Sequence, residues 1–204
     1  MDDAITPTQP EPTQPDGYAE TPELHERIDR IGFGLIGGAT VMLFLGFVFA
    51  YFYLRSLDTN ELWRPAGVEP PTGYGIAIAA ALSISALAFG YAARIARRGL
   101  GGWVAASGIA LALGLFACVA QAVEYAHIPF GPESGGYASV FFGWTALYVV
   151  VTLIALYRVE TVFAAGLRKH GRADAVPEGF VAGAAYWALL AAIGILGWII
   201  LYLV

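Results

Sequence analysis

The chain has 204 residues, of which 58% are apolar and only 13% charged. That is room for about one domain, with roughly half the charged share of a soluble one, which excludes an ordinary soluble fold. The net charge of −5 is concentrated at the N-terminus: residues 1–30 hold eight acids and two arginines, while residues 31–204 hold eight acids against nine bases. It says little about what the rest of the chain meets, and no nucleic-acid partner is expected.

Taken in chain order, residues 1–22 contain PTQP twice among Thr, Pro, Asp and Glu. Such a segment cannot bury enough apolar surface to offset its ordering entropy, so a disordered tail is expected. ELHERIDR at 23–30 is expected to begin a helix that runs into the first span. No cleavable signal is expected, because MDD is acidic and the first apolar run exceeds a signal peptide's apolar core.

Uncharged runs then cover 31–54, 70–93, 99–123, 134–157 and 179–204. A hydrocarbon core of about 30 Å needs roughly 20 residues of helix. All five runs meet that length. The expected fold is therefore all-α: a polytopic membrane helical bundle over residues 23–204, with spans at about 31–54, 74–93, 102–123, 137–157 and 180–203.

Basic residues set the expected orientation. Arg27, Arg30, Arg94, Arg97, Arg98, Arg158, Arg168, Lys169 and Arg172 fall on one side, and Arg55 and Arg64 on the other. The positive-inside rule places the N-terminus in the cytoplasm and the C-terminus outside.

GFGLIG at 32–37 matches GxGxxG, but a dinucleotide site needs a strand before the glycines and a helix opening at them. Here they lie inside an apolar run. Gly34 and Gly38 read instead as GxxxG, a place for close helix packing. Metal and haem chemistry fail on ligand supply: His25, His127 and His170 lie in the tail or loops, and Cys118 is the only cysteine. No thiolate or imidazole cluster can be assembled, no cofactor is expected in this chain, and no disulfide can form within it.

Two polar patterns stand out. In the fourth span Tyr137, Phe141, Thr145, Tyr148 and Thr152 recur at helical spacing and share a face, as an interhelical seam would. In FACVAQAVEYAHIPFG (116–131), Gln121 and Glu124 share a face one turn before a Pro-Phe-Gly break. A carboxylate there either snorkels to the interface or makes a buried polar contact, and a group at that depth raises a functional question.

The order of motifs resembles subunit III of the haem–copper respiratory (cytochrome c) oxidases in its five-span bacterial form. FAYFYLR (49–55) ends the first span, ELWRPAG (61–67) lies in an outer loop, and Phe116, Gln121, Glu124 and Tyr125 form F-x4-Q-x2-E-Y. GGYASVFFGWT (135–145) opens the fourth span and AYW (185–187) the last. The likeness covers about residues 31–204. It departs where the family has a small residue followed by Glu in the first span (Ala39-Thr40 here), where it has His-Gly-x-His (Tyr148 to Val151 here), and where YWHFVD reads YWALLA, with Ala188 and Ala191 in place of His and Asp. This is a divergent member, to which no catalytic residue carries over.

The resemblance implies a non-catalytic part of an oxidase of aerobic respiratory electron transport, in a bacterial inner membrane. Its partners would be a haem–copper subunit I, a subunit II and phospholipid, with haem and copper held by those subunits. It would support proton uptake and complex stability. Gln121, Glu124, Tyr125, Trp63, Tyr148, Tyr186 and Trp187 are the expected lipid or subunit contacts. An accessory protein of a nitric oxide reductase system is the alternative within the fold. A small transporter is the alternative outside it, although five spans do not divide into equal halves and no span carries a midplane charge.

Overall fold

The computed structural model describes residues 22–58, 63–168, 176 and 179–204. The expected disordered tail lies outside the described residues except for Pro22. So do Glu61 and Leu62 of the outer loop, and Lys169, His170 and Arg172.

Five long helices follow one another: α1 (Pro22–Ser56), α2 (Thr72–Arg97), α3 (Trp103–His127), α4 (Gly136–Arg168) and α5 (Phe180–Trp198), the last continued by a π-helical turn over Ile199–Leu203. All five are long and apolar enough to cross a bilayer. Their breaks follow local chemistry. Pro22 occupies the first helical position of α1, where its missing N–H costs nothing. Pro71 sits in the extended region just before α2. Gly102, in the left-handed region, lets the chain reverse into α3 within five residues of Arg97. The first four helices overrun the uncharged runs that foretold them, α1 and α4 most of all, because charged ends extend a helix past the hydrocarbon without breaking its backbone bonds, while α5 and its π-helical turn stay within theirs.

Hydrogen bonds and close contacts define the two ends. Arg55 Nη1 donates to the Val204 carbonyl at 2.9 Å, and Tyr137 OH to the Leu201 carbonyl at 2.6 Å. These bring the C-terminal ends of α1 and α5 to the N-terminal end of α4, and both satisfy terminal carbonyls that the helix cannot. At the opposite end Phe180 packs on Phe89 and Trp103, with ring centroids 5.1 and 5.9 Å apart.

The core is built by setting aromatic rings of one helix against glycines of another. A Cβ added at Gly114 would lie 2.6 Å from Leu156 and 3.0 Å from Trp187, and one at Gly166 would lie 2.8 Å from Trp103. Likewise Gly197 receives the Trp144 indole and Gly75 the Tyr202 ring, each under 3.0 Å. Membrane helices lack a hydrophobic force between them, so such close backbone approach supplies the dispersion contact that holds them.

Helix α1 differs from the rest. Only 17% of its most apolar stretch is buried, against 39–44% for the other four. Close approach to α5 runs through Gly37, where a Cβ would meet Leu189 at 3.2 Å; Gly34 and Gly38 have nothing within 4 Å of such a Cβ. Among the described residues, the GxxxG pair therefore makes no close helix contact. Three- and four-residue spacing cannot say which of three adjacent glycines faces a neighbour, because that depends on how the whole helix is rotated.

Candidate functional site

Near the C-terminal end of α3 the run of apolar side chains gives way to a closed polar cluster. Glu124 is 0% exposed and Gln121 5%. Gln121 Nε2 donates to Glu124 Oε2 at 2.6 Å, and Tyr202 OH donates to Glu124 Oε1 at 2.7 Å. The i, i+3 spacing aligns amide and carboxylate on one face of α3, and the π-helical turn brings Tyr202 over from α5. The carboxylate does not snorkel. Leaving a buried charged group without partners costs several kcal/mol in an apolar medium, and two neutral donors from two helices meet that need.

The neighbouring residue takes its own partner. Tyr125 OH donates to Thr145 Oγ1 at 2.6 Å, and Thr145 donates onward to the Phe141 carbonyl at 2.7 Å. Tyr148, deeper along α4, donates to the Leu190 carbonyl at 2.7 Å. Its hydroxyl reaches that backbone because Gly194, one turn on, has no Cβ to collide with it. The polar face of α4 is thus an interhelical seam, with Tyr137 and Tyr148 both bonded to α5.

A second relay crosses the bundle. Trp187 Nε1 donates to Ser85 Oγ at 3.0 Å, and Ser85 donates to the Ala110 carbonyl at 2.6 Å, joining α5, α2 and α3. A third lies between α1 and α5. Thr40 commits its proton to the Ile36 carbonyl at 2.8 Å, so Tyr186 OH, 3.1 Å away, donates to Thr40 Oγ1.

Trp63 packs edge-on against Tyr51, with centroids 5.0 Å apart at 90°, and against Tyr137 at 6.0 Å and 85°. Its carbonyl accepts from the Tyr137 N–H at 2.9 Å. The Arg64 guanidinium lies 4.5 Å above the other partner, the Tyr137 ring. The loop is pinned to the start of α4 by aromatic contact.

Of the seven residues expected to touch lipid or another subunit, Gln121, Glu124, Trp63, Tyr148 and Trp187 are buried inside the chain. The contacts described for these five are made within this one chain. Tyr125 and Tyr186 keep partial exposure. For Gln121, Glu124, Tyr148 and Trp187 the polar atom finds a donor or acceptor inside the bundle, while Trp63 is held by its ring contacts.

Sequence reasoning passed over Tyr202, Ser85 and Trp144. Tyr202 resembles an interfacial tyrosine at a span's end, and Ser85 a tolerated small residue. Only the tertiary structure shows what Tyr202 and Ser85 bond and that Trp144 packs on Gly197. A cavity of about 30 Å³ beside Gln121, Thr145, Tyr148 and Tyr202 has room for water and not for a substrate. Among the described residues, no group of three or more His, Cys, Asp or Glu could hold a metal ion. The arrangement ties helices together through these bonds.

Residues 21–204 match the family model described as cytochrome c oxidase subunit III. The chain is 28% identical over 188 residues to the cytochrome c oxidase subunit 3 of Pelea capreolus, covering 89% of this chain and 70% of that protein. It is 28% identical over 179 residues to that of Madoqua guentheri, covering 85% and 67% respectively. The cytochrome c oxidase subunit 3 of Gazella cuvieri is similar to the same extent as the first, 28% over 188 residues.

Proposed function

Since the chain belongs to the cytochrome c oxidase subunit III family, we propose that it is the non-catalytic subunit III of a haem–copper terminal oxidase in a bacterial inner membrane. In this reading its N-terminus is cytoplasmic. It packs against a subunit I and a subunit II, which carry the haem and copper, binds phospholipid, and supports proton uptake and the durability of the complex. The observation that carries the reading is the extent of the match, which takes in all five helices.

Two features of the bundle support the partner assignment. The most apolar stretch of α1 is largely uncovered, and Gly34 and Gly38 stand open on it. A transmembrane helix of subunit I or II approaching that pair would recover the packing that this chain leaves unmade. The polar cluster at Glu124 acts indirectly, by holding α3 to α5 so that the outer surface keeps its shape.

One observation favours the nitric oxide reductase alternative. Thr40 stands where the family has its first-span carboxylate, and its hydroxyl is tied up with Ile36 and Tyr186. Any function of an oxidase subunit that needs that carboxylate is absent from this chain.

A tagged chain extracted from its native membranes in mild detergent tests both readings. Co-purified haem absorbance with oxygen consumption is the expected result. Haem with nitric oxide consumption alone would decide for the second reading, and a chain recovered with no haem protein would sink both.

A further inference from the structure

Four helices meet around the cavity of about 30 Å³ beside Gln121. Helix α2 contributes Gly75 and Ala79, α4 Trp144 and Tyr148, and α5 Gly197 and Trp198, while Tyr202 closes it from the π-helical turn. Two indoles come close because the positions facing them are glycines. A Cβ added at Gly197 would lie 2.8 Å from Trp144 Nε1, and one at Gly75 2.9 Å from Trp198 Cδ1. The Trp198 indole nitrogen is buried and has no hydrogen-bond partner among the described residues. The Trp144 nitrogen has none there either, although the residue is only 2% exposed. Gln121 turns Nε2 to Glu124, and its Oε1 accepts no bond among the described residues. Tyr148 and Tyr202 donate to the Leu190 carbonyl and to Glu124, so each hydroxyl oxygen keeps a lone pair to offer. Dry cavities in proteins are lined by carbon. This one gathers unmet donors and acceptors on its walls.

We propose that the cavity is a binding site for water: a molecule that accepts from the indole N–H groups of Trp144 and Trp198 and donates to Gln121 Oε1 and a tyrosine oxygen. The inference goes beyond the subunit III reading and does not depend on it, since every group involved belongs to this chain. A buried water needs about 10–15 Å³ and roughly two to four polar partners. The cavity offers both. A buried N–H without an acceptor is costly in an apolar layer, and the water supplies the acceptor where no side chain does. A small apolar molecule would fit the volume and leave these groups unbonded. Among the described residues the hydrogen bonds of the Glu124 carboxylate reach only α3 and the turn after α5. Through Gln121, the water extends that cluster to Trp144 of α4. Trp103 supplies a contrast. Its Nε1 is also buried without a partner among the described residues and the residue is 0% exposed, but it packs on Phe180 at the opposite end of the bundle.

The test is X-ray radiolytic labelling of the chain, purified in mild detergent with the partners it brings, with mass spectrometry reading oxidation residue by residue. Water held inside a protein yields hydroxyl radicals that oxidise the side chains it touches, so burial does not protect them. Trp144 should label several-fold faster than Trp103. Trp198→Phe keeps an aromatic ring and removes one donor, and Ala79→Val fills part of the cavity with carbon. Each should slow Trp144 labelling several-fold, towards the Trp103 rate. Should Ala79→Val fail to fold, the wild-type comparison and Trp198→Phe still decide. Equal rates at Trp144 and Trp103 in wild type overturn the inference. So does fast labelling of Trp144 that the folded variants leave unchanged, which would place the oxidising water outside the cavity. A density map of the wild-type sample fine enough to show ordered water gives a second reading. It should hold a peak within hydrogen-bonding distance of Gln121 Oε1 and an indole nitrogen, and an empty cavity in such a map overturns the inference as well. Loss of the haem-bearing partner from these samples would defeat the subunit reading and leave the labelling comparison intact.

Discussion

Tyr202, two residues from the end of the sequence, donates a 2.7 Å hydrogen bond to the fully buried Glu124 carboxylate, 78 positions away. The bond closes the α3–α5 contact where the π-helical turn has carried Tyr202 towards α3. Gly75 of α2 lies beneath the Tyr202 ring with space for no side chain. Three helices therefore meet at one phenol.

Tyr202→Phe keeps the ring against Gly75 and removes only the donor. It should lower the unfolding free energy in detergent by about 1–3 kcal/mol, the usual result of leaving one buried acceptor short of a partner. Glu124→Ala should cost at least as much, since it strands both Gln121 and Tyr202, and should also loosen the chain's retention in its complex. Thermal unfolding checks the first effect and co-purification in mild detergent the second. A Glu124→Ala chain as stable and as well retained as wild type would count against a structural role for the cluster.

Ser85→Ala removes the acceptor of the Trp187 indole and the donor to the Ala110 carbonyl in one step. Side-chain hydrogen bonds between membrane helices average about 0.6 kcal/mol and reach about 1.7. The loss should lie at or above the upper figure, because the indole N–H is left in a dry interior. A double-mutant cycle with Trp187→Phe reads the coupling; additive losses would show that the two side chains do not act together.

Gly114→Ala and Gly38→Ala separate packing within the chain from packing between chains. The first sets a methyl 2.6 Å from Leu156, which must move against Trp187, while the second meets nothing within 4 Å. Overpacking of this kind typically costs about 1–3 kcal/mol. Gly114→Ala should thus lower the melting temperature of the isolated chain and Gly38→Ala should not. Gly38→Leu should weaken recovery of the haem-bearing partner while leaving that melting temperature unchanged. Should both glycine variants at 38 co-purify like wild type, α1 does not dock through this face.

Gly136→Val would drive a branched side chain into the Trp63 ring, 2.9 Å from the position of an added Cβ. The aromatic stack of Tyr51, Trp63 and Tyr137 should open and expose the loop before α2. Limited proteolysis in the stretch 57–70 should accelerate several-fold relative to wild type. Cleavage at an unchanged rate would mean that the stack does not hold that loop.

How far the sequence could be read depended on the range of the interaction concerned. Helix number and approximate limits were legible because the bilayer demands about 20 uncharged residues per span, a one-dimensional requirement. The face shared by Gln121 and Glu124 was legible because helical periodicity is local. Glu124's partner Tyr202 was not, because a side chain that reaches α3 from beyond the end of α5 leaves no trace in the spacing of either helix. The contacts of Trp63, Tyr148 and Trp187 inside the bundle were illegible for the same reason: an aromatic residue near a span's end has the same local pattern whether it faces lipid or a neighbouring helix.

Hydrophobicity and charge along the chain thus decided that this is a membrane bundle of five helices, since transfer free energy is set residue by residue. The motif order decided its family. The rotation of each helix about its axis decided the rest: that Gly37 and not Gly34 meets α5, that Glu124 is sealed from lipid, and that Gln121, Trp144 and Trp198 line one cavity. Rotation is fixed by packing all five helices at once, and no single segment carries that information.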